Sequence, residues 1–184
     1  MGSGFENHSK YGGAIYSYVP GKEMMNINLY IPSVLTWKEK SLKLRMTTDY
    51  PEHGKVVIKL EETSKEPLTI NLRRPVWAAG DVAIRINGSK QKVESVPGSF
   101  ISLHRKWKKN DVIELILPMP LYTVSMPDNV DRRAVFYGPT ILAGTFGTEK
   151  RKMGDIPVFV SEEKSLTNYI KKISDTSVLS LIHI

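Results

Sequence analysis

The sequence predicts a mainly β protein, an antiparallel β-sandwich of jelly-roll type preceded by one helix. Three observations carry that expectation. Apolar residues alternate with polar ones over several short runs, the period of a strand with one dry face. Turn dipeptides such as Asn87-Gly88 and Pro97-Gly98 separate the runs. No amphipathic helix fits between them, as a parallel sheet with helical crossovers would require.

The helix is expected over residues 5–18. Tyr11, Ala14, Ile15 and Tyr18 recur at i, i+3, i+4 and i+7, which gathers them on one face. Gly12-Gly13 weaken it by roughly 1 kcal/mol each relative to alanine, and Pro20-Gly21 ends it. The period then becomes two. Strands are expected at Asn26–Ile31, with Ile27, Leu29 and Ile31 on one face, and at Lys55–Glu61, with Val56, Ile58 and Leu60 inward. Others are expected at Leu68–Leu72, Val82–Asn87 and Ile113–Leu117, and weaker ones at Leu42–Thr48 and Phe100–Leu103. Short strands at regular spacing with turn signals between them are the pattern of a sandwich. Pro118-Met119-Pro120 closes this series. Ala134–Tyr137, Thr140–Leu142 and Asp155–Val160 read as strands of a second, incomplete β region, and Ser165–Ile173 as a short helix or a loop. The domain organisation expected is thus a helical segment over 1–20, a middle sandwich over 21–120, a partial β region over 121–178 and a tail over 179–184. That tail, Leu179-Ser180-Leu181-Ile182-His183-Ile184, resembles a translated sequencing adapter. It is expected to lack a strand partner, the alternative being a genuine edge strand, and is set aside from fold reasoning.

Composition narrows the function. The chain has 184 residues and no cysteine, which excludes a disulfide framework, a thiol nucleophile and a cysteine zinc site within it. No apolar run approaches the roughly 20 residues of a membrane helix. The formal charge is +7, but the cations are spread in ones and twos except at Arg105-Lys106-Trp107-Lys108-Lys109. With one aromatic beside it, that run reads as a solvated hairpin in preference to a nucleic-acid groove. No nucleic-acid or membrane partner is expected. The compartment stays open, with the periplasm or the exterior favoured for a parent protein.

Candidate chemistry is sparse. His53 and His104 read as surface or structural residues, and His183 lies in the tail. Glu61-Glu62 and Glu162-Glu163 are adjacent pairs whose side chains would point to opposite faces of a strand. They do not form the two facing carboxylates of a conventional glycosidase. Trp37, Trp77 and Trp107 admit two readings: a sugar-stacking platform, or the favoured one, plugs for sandwich corners that keep the indole N–H at the rim.

The opening run Gly2-Ser3-Gly4-Phe5-Glu6-Asn7-His8 resembles a segment of the β-L-arabinofuranosidase family, glycoside hydrolase family 127 (GH127). Further features follow that family's order. They are Asn28-Leu29-Tyr30-Ile31-Pro32-Ser33 with Trp37, the corner Arg73-Arg74-Pro75-Val76-Trp77, Asn87-Gly88, Pro97-Gly98-Ser99-Phe100, Trp107-Lys108-Lys109-Asn110-Asp111, and Arg132-Arg133-Ala134 through Leu142-Ala143-Gly144. Together they span the chain from Gly2 to about Lys172. The resemblance implies an (α/α) barrel followed by β-sandwich domains, so residues 1–20 would be the last helix of a truncated barrel. It also implies retaining hydrolysis of β-L-arabinofuranosides or related plant-glycan sugars through a cysteine nucleophile. Zinc, held by further cysteines and a glutamate, would keep that thiol ionised, and a separate glutamate would be the general acid/base. None of these groups maps onto this chain, and the nucleophile is expected just upstream of Met1. No cofactor is expected here; zinc is implied for the full-length parent, and a glycan partner through its barrel. Glu6, Asn7 and His8 would sit at the first turn of the helix, either capping and packing it or touching the substrate pocket. With the barrel gone, the Tyr11/Ile15 face is expected to be exposed. The alternatives are a free-standing carbohydrate-binding module gripping glycan through Trp77 or Trp107, and a basic scaffold for an acidic partner.

Overall fold

The computed structural model describes residues 10–143, 170–172 and 179–181, the last two segments as backbone only. It divides into two units, Met1–Met119 and Pro120–Ile184. The first is a β-sandwich. One sheet has four strands, β1 (Tyr16–Tyr18), β2 (Met24–Ile27), β6 (Leu68–Arg73) and β9 (Phe100–Arg105), in the order β1-β2-β6-β9. The other has six, β3 (Ser33–Trp37), β4 (Leu42–Thr48), β5 (Lys55–Glu62), β7 (Ala83–Ile86), β8 (Ser89–Gln91) and β10 (Val112–Ile116), in the order β3-β4-β5-β10-β7-β8.

The inward alternate positions of both sheets form one apolar core. Ile27, Ile70 and Leu72 from the smaller sheet meet Leu44, Val56, Ile58, Leu60, Ile84, Ile113 and Leu115 from the larger, all fully buried. Each such side chain contributes about 1.5–3 kcal/mol by leaving water. The expected β5, β6, β7 and β10 therefore stand within a residue or two of their sequence positions, and β4 and β9 form as well. Asn87-Gly88 makes the β7–β8 hairpin, with φ of 51° and 80°, the left-handed pair such a two-residue turn needs. Asn110 also adopts a positive φ, 68°, which asparagine tolerates better than most residues.

Four expectations are corrected. Among the described residues of the expected helix, helical backbone runs over 10–14 and stops there, and residues 5–9 lie outside the described residues. The chain bends at Ile15 and then forms edge strand β1, paired antiparallel with β2 through Ser17↔Asn26. Sandwich burial overrides the helical spacing here: Ile15 is buried in the core although Tyr11 is exposed, so the face they were expected to share does not exist. Second, the strand expected at Asn26–Ile31 stops at Ile27. The following residues carry the chain from one sheet to the other. Tyr30 turns inward and is buried, its hydroxyl donating to the Arg73 carbonyl at 2.5 Å, while Ile31 is exposed. Third, the sandwich is not wholly antiparallel. β2 and β6 run parallel, with Asn26↔Asn71 in register. Their connection needs no helix because it passes through β3, β4 and β5 of the opposite sheet.

The second unit contains a three-stranded antiparallel sheet, β11 (Leu121–Ser125), β12 (Arg133–Tyr137) and β13 (Thr140–Ile141). β12 and β13 were expected; β11, directly after the two prolines, was not. Tyr122 stacks on Phe136 across the ladder, with centroids 5.3 Å apart. The expected strand at 155–160 lies outside the described residues. The fourth correction concerns β14 (Ile170–Lys172) and β15 (Leu179–Leu181), which pair antiparallel. The tail run thus has a strand partner, which bears on its conformation and not on its origin. Residues 170–172 are strand, where a helix or loop was expected.

Candidate functional site

The residues expected nearest a substrate pocket, Glu6, Asn7 and His8, lie outside the described residues, as do Glu162, Glu163 and His183. The remaining candidates fall in the sandwich, and the structure gives the tryptophans, Glu61 and His104 local partners.

Trp107 is buried, and its Nε1 donates to the Leu68 carbonyl at 2.8 Å. The Arg105 guanidinium lies 5.3 Å from its ring centre. It plugs the corner where the chain passes from β9 to β10. The same corner is knotted by Asp111. One carboxylate oxygen accepts from Asn87 Nδ2 (2.8 Å) and the other from the Lys108 backbone N–H (2.9 Å). Asn87 Oδ1 in turn accepts from the Val112 N–H at 2.8 Å. Two turns far apart in sequence are thereby fastened together, which explains Asn87 and Asp111 better than turn propensity does. Burial alone would push the Asp111 carboxyl up. The hydrogen bonds from Asn87 and Lys108, helped by the Arg105 and Lys108 charges, win and hold it below its ordinary 3.8. A carboxyl with a lowered folded-state pKa stabilises the fold above its unfolded value, and this contribution is lost as pH falls through the folded value. Asp111→Asn is expected to remove that part of the acid sensitivity. Urea midpoints of the wild type and the variant should converge as pH drops below about 4; a constant gap down to pH 2 would contradict it.

The corner Arg73-Arg74-Pro75-Val76-Trp77 holds the most elaborate polar arrangement. Arg74 is buried. Its Nε and one terminal nitrogen donate to the Ala78 carbonyl (3.1 and 3.0 Å), and that nitrogen also donates to Gly80 O (2.6 Å). The other terminal nitrogen donates to Ser95 O (2.6 Å) and Ser95 Oγ (3.0 Å). A guanidinium has five N–H groups, and these bonds use all of them. Arg74 floors an open pocket of about 580 Å³, walled by Asp81, Val82, Val93, Glu94 and Phe100 among others. Its charge has no donor left for a ligand, so it is a loop clamp and not an anion hook. Trp77 is half-buried and stacks on Tyr50 (centroids 6.2 Å, planes 22° apart), and Tyr50 meets buried Tyr30 edge-on at 6.0 Å. Burial raises the pKa of both phenols, with the neighbouring Tyr50 adding to the rise at Tyr30. Trp37 bonds Glu39 through Nε1 (2.8 Å) and lies 5.2 Å from Tyr18.

Among the described residues the carboxylates form no facing pair of the kind a conventional glycosidase uses. Glu61 is bound by Arg45 (2.7 Å) and Lys43 (3.2 Å), and hydrogen bonds from these two cations lower its pKa. His104 Nδ1 shares a hydrogen bond with Thr69 Oγ1 at 2.9 Å. All the shifted groups move away from neutrality, tyrosines up and carboxyls down, so none is tuned for proton transfer near pH 7. Among the described residues no cluster of three or more His, Cys, Asp or Glu side chains could hold a metal, and the chain supplies no thiolate. These residues do not fit the zinc centre that the resemblance implies for a parent.

Residues 24–119 match the family described as the β-L-arabinofuranosidase, GH127 middle domain. Among solved structures, the chain is similar to one titled a glycoside hydrolase (27% identity, TM-score 0.61, covering 69% of this chain and 22% of that one). It is also similar to a GH127 β-arabinofuranosidase (25% identity, TM-score 0.61, covering 71% and 24%). In fold it matches a GH127 β-L-arabinofuranosidase from Geobacillus stearothermophilus (24% identity, TM-score 0.62, covering 72% and 22%). The chain spans less than a quarter of the length of these structures. No curated protein matches it. The family match begins at β2, ends with the first unit and takes in more than half of the chain; the chain belongs to the GH127 β-L-arabinofuranosidase family and contains its middle domain.

Proposed function

We propose that this chain is a non-catalytic support domain of a retaining glycoside hydrolase acting on β-L-arabinofuranosides or related plant-glycan sugars. The cysteine nucleophile, its zinc ligands and the general acid/base belong to sequence outside these 184 residues. The observation that carries this reading is the family match over 24–119 to a middle domain in a chain without any cysteine. The commitment of Trp107, Arg74 and Asp111 to internal partners adds to it, because these three groups are consumed by the fold. Zinc in such a parent would supply a thiolate at neutral pH; nothing in this chain takes part in that step.

One observation favours the second reading, a carbohydrate-binding module. The half-buried Tyr50–Trp77 pair presents aromatic surface at one end of the sandwich, and aromatic faces are where sugars stack. Calorimetric titration of the 184-residue chain with neutral arabino-oligosaccharides separates the two. The support reading expects no saturable heat at millimolar ligand. Saturable binding that Trp77→Ala abolishes in a folded variant would establish the module reading instead.

A further inference from the structure

The two outer faces of the sandwich differ in charge. Across the four-stranded sheet the central row is Ser17, Asn26, Asn71 and Ser102, in register from edge to edge and uncharged. Across the six-stranded sheet the outward positions carry Lys43, Arg45, Lys55, Lys59, Arg85 and Lys90, against the carboxylates of Glu61, Glu114 and, opposite Lys43 at the β4–β5 bulge, Glu62. Arg45 stands opposite Lys59 in the ladder, and Glu114, Arg85 and Lys90 form one row. Glu61 is taken by Lys43 and Arg45, and Glu114 by Lys55 at 3.1 Å. Lys59, Arg85 and Lys90 therefore have no ion pair among the described residues, and all three are exposed. This face holds a net +3 of the chain's +7. At ~4.8 Å per strand, six strands make a strip roughly 24 Å wide.

We infer that this face binds an anionic polysaccharide, one bearing uronate carboxylates, and so holds the glycosidase against an acidic glycan matrix. The inference rests on the glycoside hydrolase reading for its choice of polymer. Charge complementarity supplies the attraction, since a flat cationic strip concentrates a polyanion near it. The outward uncharged positions are Val34, Thr36, Thr47, Val57, Ala83, Val112 and Ile116. Without an aromatic among them, the face lacks the stacking platform that a single-stranded nucleic acid uses and that a neutral sugar would need. Lysine and arginine against spaced carboxylates is the chemistry that remains.

The test is affinity electrophoresis and calorimetry of the full 184-residue chain with polygalacturonate, neutral arabinan, and a single-stranded oligonucleotide of matched charge. Binding to polygalacturonate is expected, weakening about tenfold or more between 50 and 200 mM salt as counterion release dictates, with no binding to neutral arabinan. Reversal at Lys59→Glu, Arg85→Glu and Lys90→Glu together is expected to abolish it at unchanged thermal midpoint. The milder Lys59→Gln, Arg85→Gln and Lys90→Gln set should weaken it if the reversed protein folds poorly. No binding to polygalacturonate, equal binding to neutral arabinan, affinity unchanged in the variants, or oligonucleotide binding at least as tight as that of the polyuronate would each overturn it. Binding to neutral arabinan would count against the support reading as well; the other outcomes leave that reading untouched, because it stands or falls on neutral-sugar binding and on hydrolysis.

Discussion

Arg74→Ala is expected to lower the unfolding free energy by about 3–5 kcal/mol, close to the largest loss a single substitution produces. The reason is the set of acceptors it abandons. The carbonyls of Ala78, Gly80 and Ser95 converge on one guanidinium, and each acceptor left buried without a donor costs about 1–3 kcal/mol. The guanidinium also joins two loops otherwise distant in sequence, 75–80 and 95–99, the latter docking through the Gly98 N–H to the Arg74 carbonyl at 2.9 Å. Arg74→Lys retains the charge but not the planar fork, and is expected to recover less than half of the loss. Urea unfolding at unchanged slope reads the difference directly. A loss under about 1 kcal/mol for the alanine variant would mean that water replaces the clamp.

Trp107→Ala is expected to cost about 3–5 kcal/mol as well, by opening a cavity where an indole filled the β9–β10 corner. Trp107→Phe separates area from hydrogen bonding. The ring stays apolar, but the Leu68 carbonyl loses its donor, so a smaller loss of about 1–3 kcal/mol is expected. The pair also bears on the two readings of this tryptophan. A structural plug changes stability and leaves glycan affinity alone. A sugar platform would show the reverse, weaker binding at an unchanged urea midpoint.

How far the fold was legible depended on whether a local pattern had one meaning. β5, β6 and β10 lie mid-sheet, with one face in the core and a wetter one outside, so their alternation survived into the structure. Residues 10–18 carry a pattern with two meanings. Tyr11, Ala14, Ile15 and Tyr18 suit a helix face, but the ladder offered by β2 and the burial of Ile15 draw Tyr16–Tyr18 into a strand. Tyr30 was assigned to the wetter side of a strand because the crossing between sheets leaves no local mark. β11 was lost because Pro118 and Pro120 read as the end of β structure, although they only precede its first residue. Of the site, the plug made by Trp107 followed from a general tendency, whereas the ion pairs of Glu61 with Lys43 and Arg45 did not. The five-bond clamp of Arg74 did not either, since four of its bonds end on the backbone oxygens of 78, 80 and 95, which no side-chain pattern announces. The knot of Asn87 and Asp111 was hidden for a similar reason, the two residues belonging to turns 24 positions apart.

As a support domain, the sandwich has no hydrolytic chemistry of its own. The measurement that addresses this most directly is release of the aryl group from an aryl β-L-arabinofuranoside by the purified 184-residue chain, with zinc supplied. No release above the buffer rate is expected. Zinc-dependent hydrolysis with retention at the anomeric carbon, carried by this chain unaided, would contradict it.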